Sequence, residues 1–170
     1  GLLKAAIRND NPVIFIEHES LYGSRGEVPE NGEILEFGKA AVRREGSDVT
    51  IVGILRMAET AEEAAKTLAH EHGAEAEVID PRTLRPLDLD TILESVRKTG
   101  RCVVVHEAPR TAGFGAEVAA QLAERALYDL QAPVERVTGY DTHIPLFRLE
   151  MKYLPSVAKI VAAAKRTLAA

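Results

Sequence analysis

The stretch RCVVVHEAPRTAGFGAE, residues 101–117, decides the fold of this chain. Its residues 102–105 form a short apolar run rich in β-branched side chains, which is typical of a strand covered on both faces. His106 and Glu107 follow where such a strand would end, and Pro109 argues against a continued central strand. The stretch therefore predicts a buried strand whose carboxyl end presents an imidazole and a carboxylate, at the edge where open parallel sheets bind ligands.

A glycine turn follows this strand and leads into a helix. Gly113 and Gly115 allow a tight turn, and residues 116–130 have the amphipathic pattern of one helix. A helix N-terminus favours anions, but the dinucleotide-binding fingerprint needs a third glycine where this chain has Val118. Glu117 in the first turn would also repel a phosphate group. Close packing of helix on sheet is therefore the favoured interpretation of the turn, and phosphate binding is the alternative.

Strand and helix patterns alternate through the rest of the chain. Gly73 and Gly100 stand where helix C-caps are expected, and Ser156 suits the start of the last helix. Strands that alternate with helices indicate a parallel sheet with right-handed crossovers. The predicted fold class is therefore α/β, a three-layer, mostly parallel sheet flanked by helices. Strands are predicted at residues 48–55, 76–79, 102–105 and 133–138, and helices at residues 58–72, 88–98, 116–130 and 156–168.

The first part of the chain does not fit this alternation. Residues 1–8 have a helical pattern, residues 12–16 have a buried-strand pattern, and no Met precedes them. They are expected to be the remnant of another α/β domain, so the chain is expected to be a piece of a longer protein. Residues 23–44 are rich in glycine and are interpreted as a linker, with one possible short strand at 33–37. The predicted division is therefore 1–22, 23–44 and 45–170.

Composition limits the classes of protein to which the chain can belong. With 170 residues, 46% of them hydrophobic, it can bury one good core. A net charge of −5 and an isoelectric point near 5.6 favour neither nucleic acid nor an anionic membrane as partner. The single Cys102 is interpreted as a buried structural thiol. Because no apolar run approaches the roughly 20 residues that span a bilayer, a cytoplasmic (bacterial) or mitochondrial-matrix protein is expected.

No cluster of side chains has the pattern of a catalytic or metal centre. His70 and His72 are two residues apart, so they lie on different faces of a helix, which argues against a metal pair. For His106, a neutral imidazole satisfied by loop backbone is favoured over a functional role. Arginines in or beside predicted loops favour a protein partner over RNA, because the chain is net acidic. These arginines are Arg82, Arg85, Arg110, Arg136 and Arg148.

Beyond these local patterns, a set of segments carries a family resemblance that covers essentially the whole chain. The segments are GLLKAAIRNDNPV (1–13), EVP (27–29), GKA (38–40), VIDPRTLRPLD (78–88), VVVHEAPRTAGFGAE (103–117), QAPVERVTGYDT (131–142) and YLPSV (153–157). In their order and spacing the chain resembles the C-terminal half of the beta subunit of the thiamine-diphosphate-dependent 2-oxoacid dehydrogenases, of the pyruvate and branched-chain type.

The resemblance implies a division of labour between domains. Residues 1–22 would end a pyrimidine-binding domain, and residues 45–170 would form a transketolase-like C-terminal domain. The complete enzyme would decarboxylate a 2-oxoacid on thiamine diphosphate and magnesium and acylate a lipoyl group. This chain would hold neither cofactor alone, so no catalytic residue and no metal ligand is assigned to it. His18 is expected to lie near the active-site funnel of the complete enzyme.

The resemblance also implies partners. They are an alpha subunit and a second beta subunit in an α2β2 tetramer, and the peripheral subunit-binding domain of a dihydrolipoyl acyltransferase. In relatives the residue before the Ala-Pro of the QAPV segment is often acidic; here it is Gln131, and Glu124, Asp129 or the carboxylate of Ala170 is expected to compensate. Strand-end residues are expected at subunit interfaces. These are His106, Glu107, Arg110, Tyr140 and Asp141.

Two other interpretations of the chain stay open. One is a domain of another transketolase-superfamily enzyme, such as 1-deoxyxylulose-phosphate synthase. The other is a stand-alone α/β module that binds a protein, although residues 1–16 would then leave apolar faces uncovered. The segment HEAP at 106–109 is closer to branched-chain enzymes than to animal pyruvate enzymes, but the choice between pyruvate and branched-chain substrates stays open.

Overall fold

A computed structural model describes residues 1–27, 30, 32–146 and 148–170, so part of the EVP motif at 27–29 lies outside the described residues. Its centre is a five-stranded sheet in the order β1-β3-β2-β4-β5. The pairs β2–β3, β2–β4 and β4–β5 are parallel, whereas β1 pairs antiparallel with β3. The prediction of a mostly parallel sheet is confirmed. The strands are β1 Ala41–Arg44, β2 Val49–Gly53, β3 Ala76–Asp80, β4 Cys102–Pro109 and β5 Glu135–Gly139.

Helices cover both faces of the sheet. Helices α2 and α6 pack on one face and α3 and α4 on the other, each pair over its own apolar cluster, which confirms the three-layer α/β class. None of the described helices combines the length and the apolar character needed to cross a bilayer. The helices are α1 Leu2–Ile7, α2 Arg56–His72, α3 Leu89–Thr99, α4 Phe114–Arg125, α5 Glu150–Tyr153 and α6 Val157–Leu168, with a 3-10 helix at Glu19–Gly23.

Short polar side chains and glycines set the helix ends. Gly73 and Gly100 adopt the left-handed conformation, at φ of +63° and +70°, directly after α2 and α3. The Asp88 carboxylate accepts a hydrogen bond from the Thr91 amide at the start of α3. The Ser156 hydroxyl accepts one from the Lys159 amide at the start of α6. These predicted helix boundaries are confirmed.

Strand β4 is buried on both faces, as its unbroken apolar run predicts. Val103 and Val105 face the cluster under α2 and α6, while Cys102 and Val104 face the cluster under α3 and α4. All four side chains are fully buried. Burial without a partner charge raises the pKa of the Cys102 thiol to about 12, so this cysteine is a structural apolar residue and not a nucleophile at neutral pH.

Strand β1 corrects the predicted linker. Residues 41–44 form an antiparallel edge strand, whereas residues 33–37, the possible strand of that region, form none. The Arg44 guanidinium donates to the Ala76 carbonyl at 2.6 Å, next to an irregularity in the pairing with β3. A four-residue edge strand that exposes two of its side chains has no apolar alternation from which to predict it.

The N-terminal segment also differs from its prediction. Residues 12–16 form no strand, and Ile14 is 90% exposed. An apolar run becomes a strand only where a neighbouring strand satisfies its backbone, and no strand pairs with these residues in the part of the chain that the structure describes. The buried-strand prediction is therefore wrong for this structure.

Two predicted boundaries near the carboxyl end of β4 also change. Strand β4 continues to Pro109, which pairs with Gly139 beyond an irregularity in the ladder. This proline is tolerated because β2 ends at Gly53, opposite Val105, so β4 is no longer central at that point. Helix α4 ends at Arg125 rather than at residue 130, and a bend and a turn at residues 126–129 follow it.

Truncation of a core leucine tests the packing of α2 on the sheet. Leu68 is fully buried, so we expect Leu68→Ala to lower the free energy of unfolding by about 2–5 kcal/mol, through lost burial and the cavity left behind. Equilibrium urea unfolding measures the change. The matched control is Leu127→Ala, because Leu127 is exposed, and a change above about 0.5 kcal/mol is not expected there. Equal effects of the two substitutions would contradict the assigned core.

Candidate functional site

The predicted site residues lie in two groups, at opposite ends of the sheet. The carboxyl ends of β4 and β5 carry one group, and the segment before β1 lies over the same end. The opposite end, where β4 begins, carries the other group. The first group comprises His18, His106, Glu107, Arg110, Tyr140 and Asp141, and the second comprises Glu124, Asp129, Gln131 and Ala170.

A carboxylate–imidazole pair joins the N-terminal segment to β4. The His18 Nε2 atom lies 2.8 Å from Glu107 Oε2, across 89 positions of sequence. His18 Nδ1 accepts a hydrogen bond from the Ser20 amide at 3.3 Å and lies 2.8 Å from the Ser20 hydroxyl. Because Nδ1 accepts the amide hydrogen, Nε2 carries the ring hydrogen and donates it to Glu107. The sequence points to both residues but not to their contact.

Local structure fixes the orientation of His18. It is the N-cap of the 3-10 helix Glu19–Gly23, and its side chain caps that helix through the Ser20 amide. Beyond the helix, the Ser24 hydroxyl donates to Glu59 in α2 at 3.2 Å. The segment is thus attached both to β4 and to α2. Both partners of the His18–Glu107 pair are about a quarter exposed, so their attraction is partly screened by solvent.

His106 is the most buried polar group of the site. The residue is 3% exposed, and neither ring nitrogen has a hydrogen-bond partner among the described residues. The predicted neutral imidazole is supported by this burial, and the backbone of Ala108 interacts with the ring. Loop backbone nevertheless does not satisfy both ring nitrogens. Burial lowers the pKa of His106 below its ordinary value of 6.5, so the ring is neutral at pH 7. The adjacent N-terminus of α4 also disfavours a positive charge there.

The glycine turn makes room for this ring. A Cβ atom at Gly115 would lie 2.6 Å from His106 Nε2, and one at Gly113 would lie 2.5 Å from His106 Cε1. Both distances are too short for real atoms, so only glycine lets the backbone of the turn approach the imidazole this closely. The ring fills the space that a phosphate would need. The geometry therefore supports the interpretation of the turn as close helix–sheet packing.

The loops after β4 and β5 are held to each other by polar contacts. The Arg110 guanidinium donates to the Arg136 carbonyl at 3.0 Å, and the Arg136 guanidinium donates to the Arg110 carbonyl at 3.1 Å. Thr111 donates to Asp141 through its amide at 2.8 Å and its hydroxyl at 2.7 Å. The Thr111 amide is the main cause of the lowered pKa of the Asp141 carboxyl, so this group is ionised at pH 7. These reciprocal contacts had no signal in the sequence.

Tyr140 completes this end of the sheet. Its ring meets Tyr153 edge-on with centroids 6.0 Å apart, and the Tyr153 hydroxyl donates to the Tyr140 carbonyl at 3.1 Å. The Lys159 ammonium lies 5.0 Å from the centre of the Tyr140 ring, within the range of a cation–π contact. Tyr140 is exposed on its other side.

The second group gathers where β4 begins. The Gln131 amide donates to the Gly100 carbonyl at 2.8 Å, and the Arg101 guanidinium donates to the Thr167 carbonyl near the end of α6 at 2.9 Å. Asp129 forms a solvent-exposed ion pair with Arg97 at 3.5 Å. Glu124 lies in the last turn of α4, and Tyr128 beside it is fully exposed. The structure thus brings the predicted partner-binding residues to one end.

Together these features define a three-layer α/β domain with a glycine turn packed on a strand-end histidine. The model of the transketolase C-terminal domain matches residues 38–160, and the chain belongs to this family. The sequence-based recognition of a transketolase-like domain is confirmed.

Relatives place the chain more narrowly. It is 50% identical to the beta subunit of the acetoin:2,6-dichlorophenolindophenol oxidoreductase of Cupriavidus necator, over 99% of this chain and 50% of that one. It is 47% identical to the beta subunit of the pyruvate dehydrogenase E1 component of Staphylococcus epidermidis, over 99% of this chain and 52% of that one. The chain therefore spans about half the length of the curated relatives it matches.

A solved structure shares the fold. A split-gene transketolase, described as an inactive beta4 tetramer, superposes with a TM-score of 0.72 at 36% identity, over 85% of this chain and 46% of that chain.

A double-mutant cycle tests the His18–Glu107 contact. We expect His18→Ala and Glu107→Ala together to cost less than the sum of the single changes, with a coupling of about 0.5–1 kcal/mol, because the pair is partly exposed. Urea unfolding at neutral pH measures each free energy. The control cycle combines Glu107→Ala with His72→Ala at the far end of α2, where additivity within about 0.3–0.5 kcal/mol is expected. Additivity in the first cycle would refute the contact.

The buried imidazole predicts a pH dependence of stability. The folded-state pKa of His106 lies below the unfolded value of 6.5, so its contribution to stability is complete above that value and is lost as the pH falls through the folded-state pKa. We expect the free energy of unfolding to fall as the pH drops below 6.5. The change His106→Gln should remove part of this slope. An unchanged slope in His106→Gln would contradict the assigned burial of the neutral ring.

Proposed function

We propose that the chain is the C-terminal part of the beta subunit of a thiamine-diphosphate-dependent 2-oxoacid dehydrogenase. The complete enzyme would oxidatively decarboxylate a 2-oxoacid and acylate a lipoyl group. One observation carries this proposal: 47–50% identity to dehydrogenase and oxidoreductase beta subunits runs through 99% of the chain. The part described here would organise subunits and dock partners.

The proposed domain division follows from this role. Residues 1–22 would end a preceding pyrimidine-binding domain, residues 23–40 would link it to the sheet, and β1 would open the C-terminal domain. Exposed apolar side chains in the first segment support this division, because such side chains are buried in a complete protein. They are Leu3, Ile7, Val13, Ile14, Phe15, Ile16 and Tyr22.

The glycine-rich turn before α4 is a poor fit for the diphosphate of the cofactor. The turn before α4 is the glycine-rich helix N-terminus suggested by the sequence, but the His106 ring lies against both of its glycines. Glu117 in the first turn of α4 adds a negative charge that would repel a diphosphate. We therefore propose that the cofactor is held by the rest of the enzyme and assign no catalytic residue to this chain.

His18 remains our candidate for a residue near the active-site funnel. Its ring is fixed on one side by Glu107 and on the other by Ser20, so its position follows that of β4. We propose that this contact sets the preceding domain against the sheet. His18 would then be a positioning residue: it would orient the preceding domain relative to the sheet and would not itself touch the substrate.

Assembly with further chains is part of the proposal. An alpha subunit and a second beta subunit would complete an α2β2 tetramer. The peripheral subunit-binding domain of an acyltransferase would dock at the end of the sheet that carries Gln131 and Asp129. The solvent-exposed Glu124 offers negative charge to a basic partner at that end. Because the relatives are bacterial, we propose a bacterial cytoplasmic enzyme rather than a mitochondrial one.

Acetoin cleavage is a second candidate for the reaction. The observation that favours it is the 50% identity to the acetoin oxidoreductase subunit of Cupriavidus necator. Acetoin and 2-oxoacids both present a carbonyl carbon to the cofactor, so the same subunit arrangement would serve either substrate.

An activity assay on the complete protein tests the proposal. The full-length subunit, purified together with its alpha-type partner, is supplied with thiamine diphosphate, magnesium and dichlorophenolindophenol as electron acceptor. We expect dye reduction with pyruvate or with the branched-chain 3-methyl-2-oxobutanoate, and none from the 170-residue chain alone. Reduction with acetoin and with neither acid would support the second candidate. Turnover by the 170-residue chain alone would overturn the claim that it lacks a catalytic centre.

A further inference from the structure

A groove runs along the outer side of β5 and shares Arg110, Tyr140 and Asp141 with the first group of predicted site residues. Its volume is about 390 Å³, and it lies between the loop after β4 and the exposed side of α6. Strand β5 is an edge strand, because only β4 pairs with it among the described residues. The walls include Arg110, Arg136, Tyr140, Asp141, Lys159 and Arg166.

The charge of this groove is opposite to that of the chain. Four cationic side chains line it on a protein whose net charge is −5. Of these, Arg166 is paired with the Glu135 carboxylate at 2.9 Å, whereas Arg110, Arg136 and Lys159 have no carboxylate within ion-pair distance in the described ranges. Arg110 also attracts the Glu135 and Asp141 carboxylates, so the four cations are partly compensated by two carboxylates. An excess of positive charge remains, which is a favourable field for an anionic ligand.

The cations are already held in position. Arg110 and Arg136 each donate to the other's carbonyl, as described above, and this uses only part of each guanidinium's five donors. Lys159 donates to the carbonyls of Lys152 and Leu154 at 3.0 and 2.9 Å. Carbonyl contacts fix these side chains without neutralising them. A ligand would thus lose little side-chain entropy on binding.

The one carboxylate at the end of the groove is already engaged. Asp141 accepts two hydrogen bonds from Thr111, and its position marks where the basic wall stops. The rest of the wall follows β5, an extended strand with an open side. An extended chain that carries carboxylates fits this groove better than a compact ion, because the lining follows residues 136–139 of a strand with an open edge and its cations come from three separate elements.

We propose that this groove binds an extended, acidic peptide segment of a partner protein. Carboxylates of the segment would meet Arg136, Arg110 and Lys159 in turn, and an aromatic or aliphatic residue would rest on the exposed face of Tyr140. The proposal stands apart from the proposed enzyme activity, since it uses no cofactor and no residue of the His18–Glu107 pair.

Peptide binding tests the proposal. The full-length protein is titrated into a fluorescent ten-residue peptide that alternates Glu and Val, and anisotropy measures the affinity. We expect saturable binding that weakens as NaCl is raised from about 50 to about 300 mM, because screening reduces attraction between exposed charges. A peptide with Lys in place of Glu should not bind. Binding of both peptides, or of neither, would overturn the proposal.

Matched variants locate the site. The double change Arg136→Gln with Lys159→Gln should weaken peptide binding about tenfold. Lys39→Gln removes an exposed cation beside β1, at the opposite edge of the sheet, and should change the affinity less than about twofold. An equal loss in both variants would refute the assignment. If the double variant is unfolded by circular dichroism, the single changes Arg110→Gln and Lys159→Gln replace it, each with a smaller expected loss.

A competition experiment with a small anion distinguishes a peptide ligand from a compact anion such as phosphate. Inorganic phosphate is added as competitor at matched ionic strength, with NaCl as reference. We expect phosphate to displace the peptide no better than chloride does. Displacement at low millimolar phosphate, with the same loss in the double variant, would mean that the groove recognises a compact anion, and the peptide proposal would fall.

Discussion

Burial of β4 on both faces constrains the whole domain. When successive side chains of a strand are all buried, a layer of helices must cover each face of the sheet. The backbone of the strand also needs a hydrogen-bonded strand on each side. Here β2 and β5 supply the backbone partners along the first half of the strand. The second half loses β2, and it is there that polar residues begin. The polar end of the domain is thus a direct result of where one neighbouring strand stops.

The contact between His106 and the glycine turn extends this constraint to α4. The ring stands on the strand, and the backbone of Gly113 and Gly115 lies against it, so the start of the helix is set by the position of an imidazole. The cost is a polar ring without hydrogen-bond partners in the described structure. A larger residue in the turn would move α4 outward. In other folds the glycines of a GxG pattern leave space for a phosphate; here they leave space for the His106 ring.

The sequence predicted the layers of this domain well because its core is periodic. Apolar runs marked β2, β3 and β4, and glycines and short polar residues marked the ends of α2 and α3. It failed where structure depends on distant partners. Residues 12–16 look like a buried strand, yet no described strand pairs with them, and the exposed residues 41–44 become a strand because β3 offers an edge. The same holds for the site: His18 and Glu107 were both named, but nothing local reveals that two residues 89 positions apart touch.

The crossed contacts of Arg110 and Arg136 have a consequence for how copies of this protein behave toward one another. An open edge strand is a template on which an identical strand can add, and edge-to-edge addition is a common start of aggregation. If two copies met along β5, their two pairs of guanidinium groups would approach each other, and the Glu135 and Asp141 carboxylates would offset only part of that charge. Like charges would then oppose the encounter. The outer strand of this sheet is therefore a poor template for a second copy of itself.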